Sequence, residues 1–198
     1  IYTFNSDRKC MTTVINHPDM PNAYRMFCKG ASEIVLSKCK YMIVDDEDNN
    51  DLVNLNKNDH AFINEKVIEP MASNSLRTIC LAYKDFVPEF AKKRKNEHIY
   101  TNQINWDDDE EFLVNDLTCL CICGLQDPVR EEVPEAIQKC KNAGIIVRMV
   151  TGDNLTTARS IAVKCGILNA EDDFLVLEGN EFNMVMLLLS YTKKNESN

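Results

Sequence analysis

The stretch LRTICLAY, residues 76–83, is a clear apolar β-strand, filled by the β-branched, aliphatic and aromatic residues that suit a pleated surface. Shorter strand candidates lie at residues 12–15 and 24–28, joined by a turn that contains two prolines. A helical pattern follows at residues 31–39. A second helical pattern repeats an apolar residue every four positions, at Ile63, Val67 and Met71. The first half of the chain is therefore predicted to be an antiparallel sheet with helices.

The second half has a different pattern. Residues 117–125 form a nearly continuous apolar run, as expected for a strand buried on both faces, and residues 145–150 and 174–177 are two further strand candidates. Amphipathic helical stretches separate these runs and end at Gly144 and Gly166. An alternation of strands and helices predicts a parallel, doubly wound sheet. We therefore predict an α/β (α+β) chain whose two architectures meet near residue 116.

Composition and charge exclude several classes of protein. The chain has 198 residues, of which 44% are hydrophobic and 27% charged, as in an ordinary globular protein. Its net charge of -9 argues against a nucleic-acid partner, because no basic face neutralises phosphates. Acidic runs at residues 45–51 and 107–111 are expected to be solvated loops. Neither run has the oxygen-ligand layout and central glycine of an EF-hand calcium loop.

The nine cysteines do not indicate a disulfide scaffold, since their number is odd and no C-x-x-C pair occurs. Cys119, Cys121 and Cys123 alternate along an apolar run, so we expect all three on one side of a strand as small hydrophobic residues. The three histidines are far apart in sequence and lack ligand spacing. No metal site is predicted, and a reducing compartment fits best.

The strongest chemical signal is VRMVTGDN, residues 147–154. Ligands of open α/β sheets lie at the carboxyl ends of strands, where a helix N-terminus offers donors to a phosphate. Thr151 would supply a hydroxyl and Gly152 an unobstructed N–H, whereas Asp153 or Asn154 would merely cap the helix in the alternative interpretation.

A second candidate follows the preceding strand, where Asp127 and Arg130 stand in the sequence DPVR. Asp127 would hydrogen-bond a nucleotide or brace a hinge, and the planar guanidinium of Arg130 would contact phosphate oxygens. The alternative is an ordinary loop.

The first half offers a candidate nucleotide pocket. Phe4 would present an aromatic ring to a base, and Lys9 and Lys29 would place ammonium charges near phosphates. Gly30 would allow close backbone approach, and Arg77 at the start of a buried strand requires a partner. Taken singly, a phenylalanine is more often core and a lysine more often solvated. The sequence contains neither a Walker A loop nor G-x-G-x-x-G, which excludes those two phosphate cradles.

Six ordered segments together resemble P-type calcium ATPases, and the match covers residues 1 to about 183. They are FNSDRK (4–9), KGASE (29–33), VIEPMA (67–72), LRTIC (76–80), DPVR (127–130) and RMVTGDN (148–154). The forms KGASE, VIEPMA and DFLVLEG (173–179) resemble the plasma-membrane, calmodulin-regulated branch. After Asn183 the likeness ends in an apolar stretch and a polar tail.

The resemblance implies a role for each matching residue. Phe4 would stack on adenine, while Lys9, Lys29 and Gly30 would line the ATP site and Arg77 would contact phosphate. Asp127 and Arg130 would lie on the hinge side. The group at residues 151–153 would surround the phosphoryl group in a haloacid-dehalogenase-like phosphorylation domain, with Mg²⁺ as the accompanying ion.

The resemblance also predicts a domain organisation. Residues 1–116 would belong to the nucleotide-binding domain, 117–183 to part of the phosphorylation domain, and 184–198 to a divergent tail. Partners of the parent pump would be its actuator and transmembrane domains, ATP and a calmodulin-binding autoinhibitory segment. The parent would lie in the plasma membrane, with this part on its cytosolic side.

Two departures limit what the chain alone is expected to do. Neither Asp-Lys-Thr-Gly-Thr, which carries the phosphorylated aspartate, nor Gly-Asp-Gly-x-Asn-Asp, which helps to hold magnesium, occurs in the sequence. The chain is therefore expected to be inactive alone. The alternatives are a free-standing haloacid-dehalogenase-like phosphatase, for which residues 107–109 are the nearest nucleophile string, and a non-catalytic nucleotide-binding module.

Overall fold

The strand predicted at residues 76–83 is an inner strand of the observed sheet. The computed structural model describes residues 2–46, 49–100, 105–106, 110–169, 171 and 174–195. The strands are β1 (Cys10–Asn16), β2 (Tyr24–Ala31), β3 (Cys39–Asp46), β4 (Asn49–Asn54), β5 (Leu76–Val87), β6 (Glu97–Ile99) and β7 (Leu117–Gln126). They form one seven-stranded sheet in the order β1-β2-β5-β7-β3-β4, and β6 pairs with the end of β5. The β3–β7 and β5–β6 pairs are parallel, and the others are antiparallel.

Helices connect and follow these strands. They are α1 (Ser32–Ser37), α2 (Lys57–Ile63), α3 (Glu69–Ser73), α4 (Glu110–Leu113), α5 (Glu132–Asn142), α6 (Leu155–Lys164) and α7 (Gly179–Asn195). A π-helical turn, Asn64–Ile68, separates α2 from α3, and a 3₁₀ turn, Glu89–Ala91, follows β5. The mixed α/β class and the mostly antiparallel sheet predicted for the first half are confirmed. No helix in the part of the chain that the structure describes has the length and hydropathy that a membrane span requires.

The chain forms two compact units, and their division does not fall at residue 116. The first unit comprises Ile1–Ala72 and Leu76–Gln126, and the second comprises Ser73–Ser75 and Asp127–Asn198. The predicted boundary is displaced because β7 is hydrogen-bonded to β5 along one edge and to β3 along the other. The apolar run at residues 117–125 is thus a strand, but it completes the sheet of the first unit.

The parallel, doubly wound sheet predicted for the second half is not formed by the described residues of the second unit, which contain helices and irregular segments. Residues 145–150 and 174–177 are not strands there. The side chains of Ile146 and Val150 are 75% and 98% exposed. A parallel strand needs hydrogen-bonded neighbours on its edges, and the described residues supply none to these segments.

The helix ends of the second unit follow the sequence prediction. Gly144 and Gly166 stand just past α5 and α6 with φ of 75° and 76°, the left-handed conformation that glycine adopts at helix ends without steric cost. Within this unit α6 also packs on the short segment Ser73–Ser75. Ser160 Oγ donates to the Ser73 carbonyl at 2.9 Å, and Lys164 Nζ donates to the Asn74 carbonyl at 3.2 Å.

The core of the first unit lies between the sheet and the helices α1 to α3. Its most completely buried side chains include Met26, Val35, Ile68, Phe86, Leu113 and Leu117. An aromatic group closes one end of this core: the Phe86 and Trp106 rings lie 5.2 Å apart, edge to face, and Tyr24 and Tyr100 lie 5.1 Å apart. Edge-to-face packing suits the ring quadrupoles and adds to the burial of apolar area.

The helical pattern at residues 63–71 is confirmed as helix, but its buried face differs from the expected stripe. Ile63 and Ile68 are buried, five residues apart, whereas Val67 is only half-buried. The π-helical turn Asn64–Ile68 carries one extra residue, so the face after it is rotated relative to a continuous α-helix. Helix α2 begins after Asn56, whose side chain accepts from Asn58 N and Asp59 N in a capping box.

Lys84 is a buried charge in the middle of the sheet, with 2% of its surface exposed. Its Nζ donates to the Asn115 carbonyl at 2.8 Å and to the Phe112 carbonyl at 3.3 Å. Burial is the main cause that lowers the pKa of Lys84 to about 8; Asp116 opposes this shift and Lys40 reinforces it. The amino group therefore anchors the chain after α4 to β5.

We expect stability to depend on pH through Lys84. Between the folded pKa of about 8 and the unfolded value of 10.5, the unfolded chain keeps a proton that the folded chain has released. Raising the pH through this range should therefore stabilise the fold by roughly 3 kcal/mol relative to Lys84→Met. Urea unfolding followed by the fluorescence of the single Trp106 measures this difference.

Lys139→Met is the control, because Lys139 is exposed on α5 and pairs only with the exposed Glu135. Its stability should differ from the unaltered chain by the same amount at every pH. A difference between the unaltered chain and Lys84→Met that stays constant from neutral pH upward would contradict the assignment of a depressed pKa to Lys84.

Candidate functional site

Lys9 and Lys29 lie on neighbouring strands at one end of the β1–β2 pair. Cys10 pairs with Gly30, and Met11 pairs with Lys29. The backbone of Lys9 is held from both sides: its N–H donates to the Asn5 carbonyl, and its carbonyl accepts from Ala31 N, each at 2.9 Å. Both lysine side chains are exposed, so this strand end presents two positive charges to solvent.

Gly30 is required where these two strands meet. A Cβ atom at this position would stand 2.3 Å from the Lys9 carbonyl oxygen and 2.6 Å from Cys10 Cα. Both obstacles are backbone atoms, which cannot rotate away. Lys9 itself has φ of 50°, in the left-handed region that residues other than glycine seldom adopt. The close approach of the two backbones therefore sets the spacing of the two lysines.

Phe4 projects from a loop that is fixed at both ends. Tyr2 is buried, and its carbonyl accepts from Thr12 N at 2.9 Å. Arg8 donates through Nη1 to the Thr3 carbonyl at 2.6 Å, and its Nε pairs with Glu110 at 2.5 Å. The Phe4 ring is nevertheless 61% exposed. The alternative interpretation, in which Phe4 is a core residue, is therefore wrong. The buried aromatic side chain of this loop is Tyr2, two residues earlier.

Arg77 lies on β5, the strand next to β2. Ala31 pairs with Ile79, and Arg77 stands two residues before Ile79 in β5, about 7 Å away along the strand. Arg77 stands at the start of a mostly buried strand, as expected, but its own side chain is exposed. The position opposite Arg77 on β7 is Leu125, which is 48% exposed. The end of β5 that carries Arg77 is thus a surface.

The first unit therefore brings the five residues predicted for it to one region. Three adjacent strands, in the order β1-β2-β5, present Lys9, Lys29, Gly30 and Arg77 at the same end, and the loop before β1 carries Phe4. Sequence reasoning gave no role to Arg8 or Asn5, which hold that loop by side-chain hydrogen bonds. Their place inside the FNSDRK segment is the signal that could have found them.

An open concavity of about 440 Å³ lies elsewhere, and it is not built from predicted residues. Val14, Ile15, Asn16, Tyr24, Tyr100 and Trp106 line it. Asn16 pairs with Tyr24 at the opposite end of the β1–β2 ladder from Gly30. The predicted residues therefore form a charged surface with an exposed ring, separate from the residues that line this aromatic concavity.

In the second unit, Thr151, Gly152 and Asp153 form a tight turn before α6. Thr151 Oγ1 donates to Asp153 Oδ2, and Asp153 N donates to Thr151 Oγ1, both at 3.1 Å. Asn154 caps α6 by accepting from Thr157 N at 2.8 Å. The capping interpretation is confirmed for Asn154. A Cβ at Gly152 would meet no atom within 4 Å, so the space on the side-chain side of this backbone is open.

Asp127 and Arg130 lie in an irregular segment that leads into α5. Both side chains are exposed, and the Arg130 carbonyl accepts from Val133 N at 3.1 Å. Residues 47–48 and 107–109 of the two acidic runs, and Asp173 of the DFLVLEG segment, lie outside the described residues.

These segments match one class of protein. The family model for the P-type ATPase cytoplasmic domain N matches residues 1–132, and the chain belongs to this family. This match includes every candidate residue of the first unit, and it extends through β7 and beyond the predicted boundary at residue 116.

The relatives are calcium pumps of the plasma membrane. The chain is 50% identical to plasma membrane calcium-transporting ATPase 3 of Rattus norvegicus over 183 residues, which is 92% of this chain and 13% of that protein. It is 51% identical to plasma membrane calcium-transporting ATPase 1 of Gallus gallus over 184 residues, 92% of this chain and 14% of that protein. Plasma membrane calcium-transporting ATPase mca-1 of Caenorhabditis elegans is 48% identical over 188 residues, which is 92% of this chain and 15% of that protein. The chain thus spans about one seventh of the length of these relatives.

The close approach at Gly30 predicts a large loss of stability on substitution. Gly30→Ala should lower the free energy of unfolding by about 2–3 kcal/mol, because the β1 and β2 backbones must separate to admit the methyl group. Urea unfolding monitored by Trp106 fluorescence reports on the first unit, which contains this residue.

Gly124→Ala in β7 is the matched control within the same sheet. Its Cβ would meet the side chains of Leu76 and Met71, whose ends can rotate, so we expect a loss below about 1 kcal/mol. Equal losses for Gly30→Ala and Gly124→Ala would show that the backbone contact at Gly30 is not special.

Proposed function

We propose that this chain is the ATP-holding part of a P-type calcium pump that couples ATP hydrolysis to calcium export across the plasma membrane. The observation that carries the proposal is the close approach of the Gly30 and Lys9 backbones, which fixes two exposed lysines at one strand end, directly after the loop that carries the exposed ring of Phe4. The match to the cytoplasmic domain N and the similarity to calcium-transporting ATPases of the plasma membrane support the same function.

The chemistry of these side chains suits a nucleoside triphosphate. The exposed Phe4 ring offers a face on which adenine stacks, worth about 1–3 kcal/mol per base. Lys9 and Lys29 supply compact positive charges to the phosphates, and the planar guanidinium of Arg77 binds two phosphate oxygens at once. Gly30 keeps the strand end free of a side chain, so the nucleotide reaches the backbone.

In this proposal the second unit is the beginning of the phosphorylation domain. Thr151, Gly152 and Asp153 surround the transferred phosphoryl group, and Asp127 and Arg130 lie on the hinge side of the nucleotide. The exposed turn at Thr151 and the open space around Gly152 support this assignment, since a phosphate oxygen requires both. Mg²⁺ accompanies ATP in the parent pump, and the segment that helps to hold it there does not occur in this sequence.

The partners proposed for the chain are those of a whole pump. ATP binds the first unit, and the actuator and transmembrane domains of the parent complete the reaction cycle. A calmodulin-binding autoinhibitory segment of the parent is a further partner. The parent lies in the plasma membrane with this part on the cytosolic side, in keeping with the names of the relatives.

Phe4→Ala should weaken ATP binding to the 198-residue chain by about 5- to 100-fold, because it removes the stacking surface. Lys29→Ala should weaken it by about tenfold or more through loss of a charged contact. Amide chemical shifts during titration with ATP measure both effects, and the unaltered chain should show shifts centred on Phe4, Lys29 and Arg77.

Phe62→Ala is the matched control for Phe4→Ala. Phe62 lies on α2 and is 62% exposed, nearly the same as Phe4. Its removal should leave ATP affinity unchanged within about twofold. The proposed nucleotide site is wrong if the ATP-induced shifts centre on α2, or if Phe4→Ala and Phe62→Ala weaken binding equally.

The chain alone should release no phosphate from ATP, because Asp-Lys-Thr-Gly-Thr with its acceptor aspartate does not occur in the sequence. A phosphate-release assay on the purified chain, with Thr151→Ala alongside, measures this directly. Phosphate release that persists through purification and disappears in Thr151→Ala would show instead that the chain is a phosphatase in its own right.

A further inference from the structure

Three buried thiols of the first unit converge inside the sheet. Cys39 begins β3, Cys80 lies in β5 and Cys119 in β7, three strands that are neighbours in the order β5-β7-β3. Their Sγ atoms all lie within 4.8 Å of one another, and the Cys80 and Cys119 sulfurs are 3.7 Å apart. Each residue is at most 3% exposed. Three separate strands thus deliver one sulfur each to a common point.

The spacing of the sulfurs is that of ligands around a single ion. Three sulfurs bound at about 2.3 Å to one ion have a separation of about 3.5–4.0 Å, the shorter in a pyramidal and the longer in a planar arrangement. The observed separations, at most 4.8 Å, reach this range with side-chain movements below about 1 Å. The cluster is therefore largely preorganised for three-coordinate binding.

The donor set excludes the ions that require more ligands. Among the described residues, no fourth His, Cys, Asp or Glu ligand atom joins the three sulfurs. A closed zinc site needs four ligands in a tetrahedron. Hard ions such as Ca²⁺ and Mg²⁺ need oxygen ligands, which this cluster does not offer. The ions that fit this donor set are therefore soft ions that accept three sulfur ligands.

Charge selects among the soft ions. The three cysteines belong to the hydrophobic core of the first unit, together with Val35, Leu36 and Leu117. A net charge left in such surroundings is costly. Three thiolates leave a monovalent or divalent ion with net negative charge, whereas they neutralise a trivalent ion. We infer that Cys39, Cys80 and Cys119 form a site for a trivalent thiophilic metalloid, of which As(III) is the simplest probe.

The binding step balances without an oxidant or reductant. Arsenous acid, As(OH)₃, exchanges its three hydroxyl groups for three thiols, so that three As–S bonds form, three As–O bonds break and three water molecules leave. Each thiol proton goes to a departing hydroxyl group. Reactants and products are all uncharged, which suits a step that takes place inside an apolar core.

Two other thiol pairs are competitors that the experiment must separate. Cys121 and Cys123 are exposed on β7 with their sulfurs 3.8 Å apart. Cys10 and Cys28 face each other on β1 and β2, where burial raises the pKa of the Cys28 thiol to about 12. Either pair supplies only two sulfurs, so an ion bound there keeps one oxygen ligand.

The test is titration of the reduced 198-residue chain with arsenite alone. Native mass spectrometry should show the addition of one arsenic and the loss of three protons. X-ray absorption at the arsenic edge should show three sulfur neighbours and no oxygen. Hydrogen exchange of the unaltered chain should slow along β3, β5 and β7 together, because the ion links these strands. An oxygen neighbour at arsenic, or slowing confined to β1 and β2, overturns the inference.

Variants locate the site independently of these measurements. Cys39→Ala, Cys80→Ala and Cys119→Ala should each weaken arsenite binding by at least about tenfold. A chain with both Cys121→Ala and Cys123→Ala, and a chain with Cys165→Ala in the second unit, should bind as before. Retained affinity in all three core variants contradicts the site. Displacement of arsenite by an equal concentration of Zn²⁺ would show that the charge argument is wrong.

Discussion

The continuous pairing of β5 along both of its edges is the constraint on which the first unit depends. Residues 76–83 are bonded to β7, residues 79–86 are bonded to β2, and the last three residues also receive β6. Because the backbone of an inner strand has no free edge, its register fixes the position of every neighbour. In that register Cys80, a member of the three-thiol cluster, lies opposite Gly30. The thiol cluster is therefore next to the strand end that carries the two lysines.

Local sequence patterns predicted the parts of the fold that depend on local physics. Strand candidates at residues 12–15, 24–28 and 76–83 all lie within observed strands, because alternation and β-branching report on a pleated, half-buried surface. Gly144 and Gly166 end their helices as expected, since only glycine takes the required left-handed conformation at little cost. The five residues predicted for the first unit were chosen from motifs, and the structure places four of them at one end of three strands and Phe4 in the loop before β1, while their role stays a prediction.

What the sequence could not predict depends on contacts between distant residues. An apolar run such as 117–125 indicates burial but not which sheet the strand joins, so its membership of the first unit had to be seen. Cys119 is buried while Cys121 and Cys123 are exposed, because the pairing with β5 shifts register between Leu81 and Ala82 and the end of β7 leaves the core. The three clustered thiols are about forty residues apart along the chain, and no spacing rule joins them.

The π-helical turn Asn64–Ile68 makes the number of residues between α2 and β5 critical for the first unit. It adds one residue to the path between the capping box at Asn56 and the start of β5. Loss of a single residue there would restore a regular α-helix, turn Ile68 away from the core and move the start of β5 by one position. The side chains of Glu65 and Lys66 can vary, since both are exposed. The length of this segment, more than the identity of its exposed side chains, is therefore what the fold constrains.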